Sequence, residues 1–219
     1  MNKILKILII MRFAIVFSFL VLSILFYTNV NAQIYKAYKR LSKPEKHWVL
    51  THPFAAKRTY NISGIVSEEV KKHIKDPELD GDAIGGMVDA FKHTLWMALC
   101  SQSVGKKKAL SLGLAHEEGN KLEFLGGGGS KYIIQDSVLS RMDILNNEVG
   151  ALLGEKFKHV DRDSLVLIVK ENVVDGNCYK VKKNNKKRSL DVDGNVIDEK
   201  KYQGCWVVPK VIVKSDFKL

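Results

Sequence analysis

The sequence predicts a mainly α-helical, bundle-like domain followed by a small C-terminal antiparallel β-unit. Three observations carry this expectation. Capped helical patterns follow one another from Gln33 to about Phe157. After Val160 the chain turns to short β-prone runs separated by the turn signals Asp175-Gly176 and Asp193-Gly194. Ahead of both, residues 1–32 carry the marks of an export signal, which leaves 33–160 to the helical domain and 161–219 to the β-unit.

The N-terminal reading rests on three features. Met1 to Arg12 carries Lys3, Lys6 and Arg12 and no acidic residue. Phe13 to Tyr27 is apolar apart from Ser18 and Ser23, and Val30-Asn31-Ala32 places small or apolar residues before Gln33. This is the pattern of a secretory signal peptide cleaved after Ala32, and it predicts a periplasmic or extracellular protein. The competing reading is an uncleaved anchor. The apolar run from Phe13 is about 15 residues, short of the roughly 20 that span a bilayer. It reaches that length only if Ile7 to Met11 joins it, with Arg12 inside. Met11 offers a second translational start, and no cysteine follows the exit, which argues against a lipoprotein. No stable membrane span is expected after processing.

The helices follow in order. Ser42-Lys-Pro-Glu45 is a capping box with proline in the first turn, opening a helix toward Leu50. His52-Pro53 breaks it, and a second helix runs from Pro53 to His73. Asp76-Pro77 through Gly81 is a loop, and Asp82 is expected to cap a long helix reaching about Val104. Gly105 stops that helix, and Lys106 to Lys121 forms the next. Leu125 to Ser130 is a glycine-rich break. Asp136 or Ser137 caps the last helix, which runs to about Phe157. The β-prone runs are Leu165 to Val169, Cys178 to Val181, Ser189 to Val192 and Cys205 to Val208.

The formal net charge of +11 becomes +8 once Lys3, Lys6 and Arg12 are removed. Such an excess suits an anionic partner: nucleic acid, phospholipid headgroups or a cell-wall polymer. The positive runs are Lys106 to Lys108 and Lys180 to Arg188, which also read as solvated surface lysines. Of three cysteines, Cys178 and Cys205 flank strand-like residues and are expected to form a disulfide. Cys100, in an apolar helical stretch, is expected to be a buried thiol.

Three helices carry polar residues where a core helix should not. Asp89, His93, Trp96 and Cys100, spaced i, i+4, i+7, i+11, form one stripe on a helix that is apolar almost all round. Unpaired burial of a charge costs several kcal/mol, so Asp89 and His93 need partners. His116 and Glu117 sit near the end of the next helix, His116 on the face of Ala109, Leu112 and Gly113. Asp143, Asn147, Gly150 and Gly154 repeat the stripe. Glycine within a helix costs about 0.5–1 kcal/mol relative to alanine, so two on one stripe imply close approach of a backbone or ligand.

If the stripes face one another, Asp89, His93, His116, Glu117, Asp143 and Asn147 converge in one polar pocket. Facing helices build metal sites in this way. His93, His116 and Asp143 are the expected ligands of a divalent ion such as zinc, manganese or iron, with Glu117 as general base. Without a metal, an Asp–His pair can activate water. The alternative is a hydrogen-bonded network that only fixes helix packing. Asn120 stands where H-E-x-x-H requires histidine, Gly126 to Lys131 has the wrong order for a phosphate loop, and Asp80-Gly81-Asp82 lacks further calcium ligands.

The motifs D-A-F-K-H-x-x-W (Asp89 to Trp96), A-H-E (Ala115 to Glu117) and M-D-x-x-N-N-x-x-G (Met142 to Gly150) resemble those of a bacterial domain family of unknown function, found in exported and toxin-like proteins. Lys92 stands where that family usually has arginine. The resemblance covers roughly Leu41 to Phe157 and implies a helical domain with the motif residues at equivalent positions; it carries no activity. Two functional readings follow. One is a metal-assisted hydrolase acting on an anionic envelope or nucleic-acid substrate. The other is a non-enzymatic envelope or surface-binding protein.

Overall fold

A computed structural model describes residues 35–128 and 135–218. The signal-peptide expectation and the last two residues of the glycine-rich break, 129 and 130, fall outside these residues. The chain forms two units, residues 1–41 and 42–219. In the first, residues 35–40 are helical; everything below concerns the second.

Helix α1 (Lys43–Thr51) opens at the expected capping box: the Ser42 hydroxyl accepts from the Glu45 N–H while the Glu45 carboxylate accepts from the Ser42 N–H. Helix α2 (Pro53–His73) begins at the proline that cannot continue α1. Helix α3 (Met87–Val104) is the centre of the fold. Val88, Phe91, Leu95, Met97, Ala98 and Cys100 on it are wholly buried, each large apolar side chain worth about 1.5–3 kcal/mol. Gly105, at φ +88°, ends α3 and leads directly into α4 (Lys106–Glu123). A π-helical turn, Phe124–Gly128, follows. Asp136 caps α5 (Ser137–Lys156), accepting from the Val138 and Leu139 N–H groups. Among the described residues, no helix is long and apolar enough to cross a membrane.

Three expectations are corrected. Helix α3 starts at Met87, not after Asp82. Asp82 accepts from the Ile84 N–H, and the first helical N–H, Met87, donates to Asp80 instead. Gly85, at φ +75°, makes the intervening turn. The run Leu165 to Val169 lies within a helix, α6 (Arg162–Val174), capped by Asp161. Leu165, Val166, Val169 and Val173 are buried while Leu167 is exposed, a helical period that a five-residue apolar run is too short to reveal. Finally, Cys178 and Cys205 are not bonded: Cys178 is buried with its sulfur 3.5 Å from the Thr94 hydroxyl, and Cys205 lies exposed in a loop. Cys100 is buried and free as expected, burial pushing its thiol up to about 12.

The C-terminal unit holds one two-stranded antiparallel sheet, β1 (Tyr179–Val181) and β2 (Ile212–Lys214), with Lys180 opposite Val213. Ser189 and Leu190 make only single bridges, and Cys205 to Val208 is not a strand. This tail packs on the walls of the polar pocket described next. Asn146 of α5 exchanges two 2.9 Å hydrogen bonds with the Tyr179 backbone. The Val181 N–H donates to Gly85 O at 2.7 Å. Lys210 reaches the α5 cap, Asp136, at 2.6 Å.

Candidate functional site

Because α3 is enclosed on nearly every side, Asp89 and His93 are carried into the interior one turn apart. Helix α5 delivers Asp143 to the same place. A Cβ on Gly150 or Gly154 would stand 2.1 Å from Thr94 O or Ala98 O respectively, so these glycines are what allow the two backbones to touch. His93 Nε2 then lies 3.3 Å from Asp143 Oδ1 and 3.7 Å from Asp89 Oδ1. Each of the three buried residues offers one ligand atom, all within 4.8 Å of one another. Ligand atoms at about 2.0–2.2 Å from a tetrahedral zinc stand roughly 3.3–3.6 Å apart, which the two His93–carboxylate separations approach.

Asp89 is fixed from outside, with Oδ2 accepting from the Gly85 N–H at 2.7 Å and Oδ1 from Lys92 Nζ at 2.6 Å. A metal bound here would share Oδ1 with the partly exposed Lys92 ammonium or displace it. Gln135 Nε2 donates to Asp143 Oδ2 at 3.4 Å and to Glu117 Oε2 at 3.3 Å, placing Glu117 beside the cluster.

The remaining capacity is unused. Among the described residues, His93 Nδ1, Asp143 Oδ1, Glu117 Oε1, Trp96 Nε1 and both amide atoms of Asn147 are buried without a hydrogen bond. Most buried polar atoms in native proteins are paired, so such a concentration needs a cause. Asn147 lies close enough to His93 to favour its protonation, yet its amide aligns with nothing. The cluster opens into a cavity of about 360 Å³ lined by Ile84, Lys92, His116, Asn120, Glu123 and Gln135.

Electrostatics sharpen the picture. Burial, reinforced by Lys92, lowers the His93 pKa to about 3, so its imidazole is neutral at pH 7 with a lone pair to offer. Burial, then the Asp89 and Glu117 carboxylates, pushes Asp143 well above the usual carboxylate range. Burial raises Glu117 as well. The centre therefore gathers more carboxylate than its surroundings neutralise, a condition that a divalent cation relieves.

His116 lines the same cavity but lies outside the three-residue group. The cluster that converges is Asp89, His93 and Asp143, in place of the expected His93, His116 and Asp143. Trp96 stands edge-on to both imidazoles, its ring centroid 6.5 Å from His93 and 5.5 Å from His116. His116 Nδ1 is instead 2.8 Å from Glu45 Oε1. Burial works against the imidazolium, but the Glu45 hydrogen bond and the Glu117 charge outweigh it, and the His116 pKa is raised. The Glu45 pKa is lowered, burial being outweighed by His116 and Ser42.

A family model described as a domain of unknown function (DUF6973) matches residues 46–177. The chain belongs to this family. The DUF6973 match takes in all three motif helices and extends beyond Phe157 through α6. No curated protein and no solved structure matches the chain.

Within this DUF6973 domain the neighbouring motif asparagines divide their work: Asn146 holds β1, while Asn147 faces His93. Glu45 and Gln135 are site residues that sequence reasoning missed. Glu45 was legible as the helix-capping partner of Ser42, and nothing local signals that its second oxygen reaches His116. Gly119 was its one indirect trace: a Cβ there would stand 2.2 Å from the Ser42 hydroxyl.

Proposed function

We propose that this DUF6973 protein is an exported, metal-assisted hydrolase of an anionic substrate. The observation that supports it is the convergence of neutral His93 with Asp89 and Asp143 among buried polar atoms that have no partner, at the base of an open cavity. Asp89, His93 and Asp143 hold a divalent ion, zinc or manganese. A metal in such a site supplies a bound water with its pKa lowered to about 7. Glu117, with its raised pKa, takes the water's proton. Lys92, a cation on the cavity wall, and His116, whose pKa is raised, face the anionic group of the substrate.

Glu117→Gln separates this chemistry from metal binding. With zinc or manganese present, the wild-type protein should hydrolyse bis(p-nitrophenyl) phosphate. Glu117→Gln should lower kcat by about 100-fold or more, the usual contribution of a general base, while retaining the metal. A variant as active as wild type, or no metal-dependent hydrolysis at all, would overturn the assignment.

Export belongs to the same proposal. N-terminal sequencing of the protein recovered from outside the cytoplasm should begin at Gln33; retention of Met1 or Met11 would contradict it. The second reading, a non-enzymatic binding protein, draws support from Asn146, a buried motif residue whose side chain is fully used in docking β1.

A further inference from the structure

A second cleft, of about 400 Å³, lies on the other side of the loop that bounds the first. Asp80, Asp82 and Gly86 line the second cleft, and Ala83 and Ile84 line the first, so residues 80–86 form the ridge between them. Four lysines, Lys180, Lys183, Lys187 and Lys218, face the two aspartates of the second cleft. Two of the four are structural: Lys183 Nζ binds Asp82 Oδ2 at 2.6 Å and Lys187 Nζ binds Gly81 O at 2.9 Å. Both clamp the basic loop to the ridge.

Lys180 and Lys218 remain. Neither ammonium is in an ion pair or hydrogen bond among the described residues, and Lys180 is half-buried. That burial lowers its pKa, although the Asp80, Asp216 and Asp82 carboxylates oppose the shift. The loop that forms the adjoining wall of the cleft is built rather than loose, while Lys180 itself lies on β1 and Lys218 beyond β2. The Asn184 side chain accepts from the Lys186 and Arg188 N–H groups, each at 3.0 Å. Lys187 holds φ +59°, the left-handed region that a non-glycine residue enters at a cost of about 1–2 kcal/mol. Strain kept in place by its surroundings is a feature of binding loops. Phe217, partly exposed, adds an aromatic face to the same cleft.

We propose that this cleft binds a single-stranded nucleic acid, its phosphates on Lys180 and Lys218 and a base on Phe217. Cations lining a groove beside an aromatic platform are how such strands are held without sequence preference. The aromatic face favours this partner over a featureless polyanion or a lipid surface. The strand then crosses the Ile84 ridge into the neighbouring cavity; this last step, which makes it the substrate, rests on the hydrolase reading, whereas binding in the cleft does not.

Fluorescence anisotropy of a labelled oligothymidylate, read with EDTA present, tests the binding alone. The wild-type protein should bind at 50 mM NaCl. Lys180→Ala with Lys218→Ala should weaken binding about tenfold or more and flatten the dependence of log K on log salt by about 0.7 for each phosphate no longer neutralised. Phe217→Ala should weaken oligonucleotide binding by roughly 5- to 100-fold, the range for losing one stacked base, and leave polyphosphate binding unchanged. Changing Lys106, Lys107 and Lys108 to alanine should have no effect. The proposal is overturned if the oligonucleotide does not bind, if the double variant binds like wild type, or if the Lys106–Lys108 variant weakens binding equally. It is also overturned if Phe217→Ala has no effect while anionic vesicles bind. Oligonucleotide binding with no hydrolysis in metal would overturn the hydrolase reading and leave this site standing.

Discussion

Gly150→Ala should lower the melting temperature by roughly 6–12 °C. The added Cβ would stand 2.1 Å from Thr94 O and 2.8 Å from Thr94 C, and both obstructing atoms are helix backbone that no rotamer change can move. Helices α3 and α5 must part, at about 3 kcal/mol for such overpacking. For a domain of this size each kcal/mol is worth about 2–4 °C. Gly154→Ala, facing Ala98 O at the same 2.1 Å, should behave alike. Gly64 in α2 provides the contrast, since a Cβ there meets nothing within 4 Å. Its replacement by alanine should stabilise by about 0.5–1 kcal/mol through helix propensity alone. Differential scanning fluorimetry reads all three. Parting α3 from α5 also withdraws Asp143 from His93, so Gly150→Ala should lose metal affinity together with stability. A Gly150→Ala protein that melts with wild type would mean the two backbones are not in contact.

Asp143→Asn should do the reverse to the metal-free protein, stabilising it at pH 7 by about 1–3 kcal/mol, the scale of relieving one ill-matched buried charge. The sign follows from linkage. The Asp143 pKa is raised in the fold, so above its ordinary value of 3.8 the unfolded chain sheds the proton first. Stability is therefore lost as pH rises from about 4 through the raised value, and the asparagine variant lacks that loss. His93 acts on the other side. Its folded pKa of about 3 lies below the ordinary 6.5, so both proteins lose stability as pH falls through that interval. Metal works in the opposite direction. Zinc or manganese at 100 times its Kd should add about 2.7 kcal/mol to the wild type. The asparagine variant should gain nothing. A structural network predicts instead that Asp143→Asn destabilises the protein with or without metal.

Local chemistry made most of the helices legible. Ser42 with Glu45, Gly105 and Asp136 each end or begin a helix through bonds to their own neighbours, and those bonds are present. The polar stripes were legible for the same reason, since Asp89 and His93 share a helix face by spacing alone. Their meeting with Asp143 was foreshadowed only by Gly150 and Gly154, which mark a close approach without saying to what. Long-range partners left no local trace. Glu45 and His116 are 71 residues apart, and Lys210 and Asp136 are 74 apart, and each pair depends on the packing of whole elements. Helix α6 was misread because Leu165 to Val169 is short and rich in β-branched residues, so burial against α3, not propensity, sets its conformation. The strand Ile212–Lys214 was missed because three residues hold no readable alternation.

Calorimetric titration of the metal-stripped protein with zinc and with manganese tests the central claim most directly. The account predicts one ion bound per chain. Binding should be lost in His93→Ala and Asp143→Asn and kept in His116→Ala, because His116 belongs to Glu45 and not to the cluster. A wild-type protein that binds neither ion, or His93→Ala and Asp143→Asn variants that bind as wild type does, would contradict it.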